Sequence, residues 1–264
     1  MTVDFIYGTK EWIIQFVFLG LMLTASEAGF RFGGNAQAKT TEKTKAQISV
    51  VESSILGVLA LLLGFTMSMA VSRFEARKQL VLEEANAIGT SYLRTQLLPR
   101  PEGTEIANLL RDYVDARVQF VEVGNDLERI KDKRGEAVRL QSEFWSRAVA
   151  YAQKDSNPVR AGLLLQSLNQ VIDLDSARWM AFHNHVPESV IYVNFIVAFL
   201  AANMVGYAFG LEGRRQMFSM CLLALAITVV LAVIVDLDRP RQGFIRVGQQ
   251  PMVDLQHQLR TPKD

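Results

Sequence analysis

The sequence predicts an all-α membrane protein, with four transmembrane helices and a soluble helical bundle inserted between the second and third of them. Half of the 264 residues are apolar, and three stretches, 53–72, 189–211 and 216–235, contain no charged residue. Each stretch has at least 20 residues, roughly the number that a helix needs to cross ~30 Å of hydrocarbon. Between the second and third transmembrane helices, apolar residues recur instead at three- and four-residue spacing, which is typical of amphipathic helices.

The first transmembrane helix has the shortest uncharged stretch, residues 12–26. Fifteen residues span about 22 Å at ~1.5 Å per residue, so a helix that crosses the bilayer must carry Glu27 near one end. Trp12 and Phe30 are placed as interfacial aromatic anchors would be. Residues 33–47 are small, polar and basic, and they predict a flexible loop.

The second helix begins near Ile48, and we expect it to continue without a break to Leu98. It is apolar as far as Val71, and helix-favouring residues follow until Pro99. A helix of about 50 residues is roughly 75 Å long, which exceeds the thickness of a bilayer. We therefore expect its second half to extend into the soluble part and to pack there.

The soluble insert, residues 73–185, is predicted to be a helical bundle that includes this extension. Sixteen basic and sixteen acidic residues lie between Arg73 and His183, so the insert is polar but electrically neutral. Proline, glycine and asparagine residues are expected to separate its helices. These breaks fall at 99–101, 124–126 and 155–158.

The third transmembrane helix is predicted to start after Pro187 and Glu188, and a turn at 212–215 leads into the fourth. The tail is expected to be irregular, with a last helix from Pro251. The predicted regions are a first transmembrane pair with its loop (1–72), the insert (73–185), a second transmembrane pair (186–236) and a C-terminal tail (237–264). An even number of spans places both termini and the insert on one face of the membrane.

Composition excludes several classes of protein. A net charge of +1 argues against nucleic-acid binding, and a single cysteine excludes an internal disulfide framework or a cysteine-rich zinc site. Seven Lys and Arg residues lie near the membrane on the face of the insert and six on the other face. The positive-inside rule thus separates the two faces by one residue, and we place the insert in the cytoplasm.

A polar stripe on the extended second helix is the first candidate site. Its members are Glu84, Asn86, Thr90 and Arg94. Asn86 and Thr90 are four residues apart and share a helix face. One interpretation is tight helix packing, with Glu84 and Arg94 paired to neighbouring groups. The other is a polar face that lines a path for ions or solutes, continuous with the second transmembrane helix.

A cluster of charges at the membrane interface is the second candidate. Its residues are Arg73, Arg77, Lys78, Asp236, Asp238, Arg239 and Arg241. Two acids at the end of a helix are unfavourable for its dipole, so Asp236 and Asp238 are expected to pair with basic groups that leave the membrane on the same face. A structural ring of charges and a charged pore mouth would use the same side chains.

Catalytic signals are weak, and no enzyme, cofactor or metal site is predicted. Glu27 and Glu52 are the acids within predicted spans, and we expect them to reach water near the interface and not to relay protons. His183 and His185, two residues apart, would lie on different faces of a helix. They would need further ligands from elsewhere to hold a metal ion.

Three segments, 84–99, 163–173 and 235–251, are similar to a bacterial membrane family known as bestrophin-like. The quoted motifs are Glu84-Ala-Asn-Ala-Ile-Gly-Thr90, Leu163-Leu-Leu-Gln-Ser-Leu-Asn169 and Val235-Asp-Leu-Asp-Arg-Pro-Arg241. The resemblance implies a bacterial inner-membrane protein. Bestrophins are pentameric anion channels with four membrane helices and a helical cytosolic part, so the resemblance also implies this architecture. It implies no preference for anions over cations and transfers no pore residue.

We therefore expect a homo-oligomer, with a pentamer as the first guess, that passes inorganic ions passively along an axis lined by the second helix. Its partners would be the lipid bilayer and further copies of itself, with no nucleic acid. The alternative is a structural or signalling membrane protein whose insert docks a partner while nothing crosses the membrane.

Overall fold

The computed structural model describes residues 11–122, 127–155, 157–239 and 243–261. Within these ranges the regular structure is helical and contains no strand, which confirms the predicted all-α class. The helices are α1 (Glu11–Ala36), α2 (Glu42–Thr95), α3 (Glu102–Glu122), α4 (Leu127–Ala152), α5 (Pro158–His183), α6 (Glu188–Glu212), α7 (Met217–Asp238) and α8 (Gln250–Arg260).

Among the residues that the structure describes, four helical stretches are long and apolar enough to cross a bilayer, as the sequence predicted. They are Trp12–Lys39, Glu42–Thr95, Pro158–Glu212 and Met217–Asp238. The second of these, α2, is one helix of 54 residues. It continues past the end of its apolar segment and through Gly89, so the predicted unbroken helix is confirmed. It begins at Glu42 instead of Ile48 and ends at Thr95 instead of Leu98.

The predicted flexible loop at 33–47 is wrong. Helix α1 continues to Ala36, a short 3₁₀ helix follows at Gln37–Lys39, and α2 begins at Glu42. Gly33 does not end α1, because it packs directly on the backbone of α6. Tertiary contact thus overrides the weak helix propensity of glycine. The predicted break at 124–126 lies outside the described residues.

The chain forms two compact units. The first consists of the residues up to Arg73 together with His185–Ile245, and the second of Phe74–Asn184 together with the residues from Arg246 onward.

In the first unit, α1 and α6 approach closely enough for backbone contact. A Cβ atom added at Gly206 would lie 2.0 Å from the carbonyl oxygen of Ser26, and one added at Gly29 would lie 2.0 Å from that of Asn203. Gly33 and Gly210 are equally close to the opposing backbone. Each helix therefore presents two glycines four residues apart, the small-residue spacing that lets membrane helices pack tightly.

The same unit contains buried amide side chains that join helices. Asn194 of α6 is fully buried and donates from Nδ2 to Oγ1 of Thr66 on α2, at 2.9 Å. Asn203 donates to the carbonyl oxygen of Ala25 on α1, at 3.1 Å. Interhelical hydrogen bonds of this kind are typical of helices in lipid, where polar groups find no water.

The second unit has its own apolar core. Buried side chains from the last part of α2 and from α3, α4, α5 and α8 meet there, with Ile88, Tyr113 and Phe144 among those with no exposed surface. Asn157 caps α5 by accepting hydrogen bonds from the backbone N–H groups of Val159 and Arg160. Helix α8, which the sequence placed from Pro251, contributes Met252, Leu255 and Leu259 to this core.

Candidate functional site

Helix α2 carries a continuous row of exposed side chains along one side. By residue spacing they follow one another every three or four positions, which places them on one face of the helix. This exposed stripe of α2 comprises Ser54, Val58, Leu61, Phe65, Ser68, Ser72, Ala76, Gln79, Glu83, Asn86 and Thr90. It contains both polar residues that the sequence placed on a common face, Asn86 and Thr90.

Glu84 and Arg94, predicted with Asn86 and Thr90, have other surroundings. Glu84 has no exposed surface and lies in the core of the second unit. Arg94 is half-buried, and its guanidinium donates to the carbonyl oxygen of Leu163 on α5. The structure therefore brings Asn86 and Thr90 together on the exposed stripe, while Glu84 and Arg94 contact neighbouring helices.

Glu84 is the centre of a buried ionic network, which we call the Glu84 network. Tyr113 donates to its Oε1 at 2.8 Å, and Nε of Arg117 lies 2.9 Å from the same oxygen. Arg178 donates to its Oε2. Arg117 also pairs with Asp175, its Nη1 lying 2.9 Å from Oδ1. Nη1 of Arg134 lies 3.6 Å from the other carboxylate oxygen of Asp175, so two carboxylates face three guanidinium groups.

The electrostatics of this network keep Glu84 ionised and Tyr113 protonated. Burial alone would raise the pKa of Glu84, but Arg178 and Arg117 outweigh it and hold the pKa below its ordinary value. Burial, with the adjacent Glu84 carboxylate, raises the pKa of Tyr113 well above its ordinary value. Tyr113 therefore remains a hydroxyl donor, and the network joins α2, α3 and α5 in one set of mutual hydrogen bonds.

The sequence analysis missed Tyr113, Arg117, Asp175 and Arg178, although it contained a usable signal. These polar residues occupy positions where the helical periodicity requires apolar ones, such as Arg117 four residues after Tyr113. A charged residue on an otherwise apolar face is expected to be paired, because an isolated buried charge is very costly.

The residues of the interfacial charge cluster have diverse partners. Arg77 is buried and donates to the carbonyl oxygens of Ala181 and Asn184, both at 3.0 Å, and so satisfies the end of α5. Lys78 is exposed, and its Nζ lies 3.8 Å from Glu75.

On the first unit, the acids at the end of α7 bind backbone N–H groups. Asp236 accepts hydrogen bonds from Phe244 and Ile245, at 2.7 and 2.8 Å. Asp238 accepts one from Val186 at 2.7 Å. A Cβ atom at Gly243 would lie 2.2 Å from Oδ1 of Asp236, so this loop requires glycine.

The structure also describes the remaining basic residues of this cluster except Arg241. Arg73 donates to Sδ of Met69, and Arg239 is buried. Arg241 lies outside the described residues.

The acids predicted within spans differ in their partners. Glu27 accepts hydrogen bonds from Arg31 at 2.9 Å and from Arg215 at 2.6 Å. Glu52 is half-buried on α2.

The two histidines considered as metal ligands contact backbone oxygens. Nδ1 of His183 lies 2.9 Å from the carbonyl oxygen of Trp179, and Nδ1 of His185 lies 2.9 Å from that of Asp238. Within the part of the chain that the structure describes, no group of three or more His, Cys, Asp and Glu residues is arranged to hold a metal ion.

The family model of the Bestrophin-like domain matches residues 17–252, which is most of the chain. The chain belongs to the Bestrophin-like family. This confirms the resemblance seen in the three sequence segments. Among curated proteins, none matches the chain.

Solved structures share the fold of this Bestrophin-like chain. A bacterial bestrophin homologue from Klebsiella pneumoniae, crystallised with a tyrosine-to-alanine mutation, superposes with a TM-score of 0.67 at 15% identity over 92% of this chain and 96% of the other. A tryptophan-to-alanine variant of that homologue gives 0.65 at 15% identity over 95% and 96%. A structure described as a membrane protein gives 0.66 at 16% identity over 93% and 97%. At these identities the likeness establishes the fold alone.

Proposed function

We propose that this chain assembles with further copies of itself in a bacterial inner membrane, and that ions pass through the assembly along an axis lined by the exposed stripe of α2. The observation that carries the proposal is the composition of this stripe. In the spanning segment it is apolar with interspersed serines, and in the second unit it becomes polar at Gln79, Glu83, Asn86 and Thr90.

The low burial of α2 supports assembly with further copies. In its most apolar 18-residue window only 17% is buried within one chain, against 39% for the corresponding window of α7. A spanning helix with so little cover from its own chain must contact lipid or other subunits. Three serines of the stripe favour contact with other subunits over contact with lipid, because hydroxyl groups gain nothing from facing lipid tails. They are Ser54, Ser68 and Ser72.

The order of residues along the stripe suits a path for ions. Val58, Leu61 and Phe65 succeed one another at helical spacing and are all exposed. Repeated around an axis, such side chains form an apolar constriction, which can gate by excluding water. Asn86 and Thr90, farther along, would line a hydrated vestibule. Membership of the Bestrophin-like family supports a channel by analogy with bestrophins, as does the shared fold with a bacterial bestrophin homologue.

Reconstitution of the purified protein into planar bilayers tests the proposal. We expect a passive current, and we expect Asn86→Leu and Thr90→Leu each to lower the single-channel conductance several-fold. Thr104→Leu is a matched control, because Thr104 is an exposed threonine on α3, away from the stripe. If a current is observed and neither stripe variant changes it, the axial path lined by α2 is refuted.

A second candidate, a protein that docks a partner without transport, is favoured by one observation. Leu97, two residues after the end of α2, and Val159 of α5 are 56% and 68% exposed in the second unit. A partner that docks on the second unit would cover exposed apolar side chains such as these. Native mass spectrometry of the detergent-extracted particle separates the two candidates. A ring of identical subunits supports the channel, and a monomer or dimer supports docking.

A further inference from the structure

We propose that Phe244 inserts into lipid at the membrane interface and anchors there the loop that follows α7. The contact concerns the bilayer and not the passage of ions, so it holds whether or not the chain forms a channel. Three observations carry it. The Phe244 side chain is exposed, its backbone is held in place, and it lies at the end of an apolar row on α7.

Phe244 is exposed although its backbone is fixed. Among the large apolar side chains that the structure describes it is the most exposed, at 95%. Its backbone N–H donates to Oδ1 of Asp236 at 2.7 Å, and that of Ile245 donates to Oδ2 at 2.8 Å. Gly243 packs against the same carboxylate. The loop is therefore held against the end of α7 while its largest apolar side chain projects away from the first unit.

One side of α7 is apolar along its length, and we call it the outer row of α7. Its members are exposed and follow one another every three or four residues, which places them on one helix face. They are Phe218, Leu222, Leu225 and Val229. The outer row contains no hydroxyl group and no charge, in contrast to the exposed stripe of α2 with its serines. Within a membrane span, such a face suits contact with lipid tails, which are equally apolar.

Phe218 lies at one end of the outer row, and Asp236 ends the same face of the helix. They are eighteen residues apart, which corresponds to about five turns and about 27 Å along the axis. The hydrocarbon core of a bilayer is about 30 Å thick. Because Phe244 is hydrogen-bonded to Asp236, the exposed rings of Phe218 and Phe244 bracket the row at the spacing of the two membrane interfaces. Aromatic rings are typical of these two levels.

A second copy of the chain is the other partner that could cover Phe244. Contacts between spanning helices use small or polar side chains, which let the backbones approach or supply hydrogen bonds. The outer row has large apolar side chains instead. Phe244 continues that row at its end, so we assign lipid as its partner.

The accessibility of a spin label at position 244 tests this contact in the full chain. Phe244→Cys is made in a Cys221→Ser background, because Cys221 is exposed and would also react. The labelled protein is reconstituted into vesicles of phosphatidylethanolamine and phosphatidylglycerol. Oxygen concentrates in lipid and a nickel chelate stays in water, so the ratio of their collision rates with the label reports its surroundings. Because Phe244 is almost fully exposed, its replacement leaves the packing of the first unit intact.

Two other labelled positions calibrate the ratio. Leu225→Cys, on the outer row, gives the value for hydrocarbon, and Glu128→Cys, exposed on α4 of the insert, gives the value for water. We expect the ratio at position 244 to exceed that at Glu128 several-fold and to approach that at Leu225. A label that matches Glu128 lies in water, and a label that neither reagent reaches is covered by protein. Either result overturns the proposal.

The role of Asp236 is tested in the same labelled protein. Asp236→Asn weakens both hydrogen bonds to the loop, so it should lower the ratio at position 244 several-fold towards the value for water. Asp254→Asn, which changes an exposed acid on α8, should leave the ratio unchanged. A ratio that does not respond to Asp236→Asn would show that these hydrogen bonds do not hold Phe244 in lipid, and the proposed anchoring of the loop would be wrong.

Discussion

Replacing Glu84 by glutamine removes the central charge of the Glu84 network and changes little else. Glutamine keeps the size of the side chain and can still accept the hydrogen bond from Tyr113. Arg117 and Arg178, however, lose the carboxylate that they share. Both are mostly buried, with 3% and 12% of their side chains exposed, so water cannot replace it.

The cost follows from the partners that remain. Breaking a buried ion pair by removing one member destabilises a protein by about 3–5 kcal/mol. Arg117 would keep Asp175 at 2.9 Å, and Arg178 would keep the amide oxygen of Gln249 at 3.0 Å. These partners place the expected loss at the lower end, about 3 kcal/mol. With a shift of about 2–4 °C for each kcal/mol, Tm should fall by about 6–12 °C.

The matched control is Glu83→Gln, which makes the same chemical change at the adjacent, exposed position. It should alter the free energy of unfolding by no more than about 0.5 kcal/mol. Thermal unfolding of the full chain in detergent, followed by tryptophan fluorescence, measures both variants. If Glu84→Gln lowers Tm no more than Glu83→Gln does, the buried network does not stabilise the second unit and the reasoning is wrong.

Three other predictions concern acidity, helix packing and loop capping. The pKa of Glu84 is lowered in the folded state, so its stabilising contribution is present above the unfolded-state pKa of about 4.3 and is lost as the pH falls further; unfolding measured from pH 6 to pH 3 should show a shallower loss of Tm in Glu84→Gln than in the wild type. Gly206→Ala places a Cβ atom against the carbonyl oxygen of Ser26, and such overpacking should lower stability by about 1–3 kcal/mol. Gly57→Ala is the control, because a Cβ atom added at Gly57 would have no neighbouring atom within 4 Å. It should not reduce Tm or the yield of monodisperse particles in detergent. Asp236→Asn weakens the two charge-assisted hydrogen bonds that Asp236 accepts from the backbone N–H groups of Phe244 and Ile245, each worth about 1.5–3 kcal/mol. Limited proteolysis should therefore cut this variant between 239 and 248 faster than it cuts the control Asp254→Asn, which changes an exposed acid.

Much of the fold could be predicted because the signals are local. Uncharged stretches of spanning length determine the four membrane helices, and the absence of a helix breaker between Ile48 and Leu98 determines that α2 is continuous. The loop at 33–47 was predicted wrongly for the same reason. Glycine propensity is a local signal, whereas Gly33 is helical because α6 lies against it.

The candidate site was predicted only in part. The common helix face of Asn86 and Thr90 could be predicted, because a four-residue spacing fixes their relation on any helix. The partners of Glu84 could not be assigned in this way. Arg117 and Arg178 are 33 and 94 residues away along the chain, and no periodicity within α2 reports which helices pack on it.

The amino-acid sequence alone predicts that α2 is one long helix and that two adjacent acids, Glu83 and Glu84, lie beyond its apolar segment. Which of them is buried and neutralised, and which is exposed, depends on how the helices pack. The physical reason is the 100° rotation between consecutive helical residues. One of two chemically identical side chains turns toward the guanidinium groups of α3 and α5, and the other turns away from them.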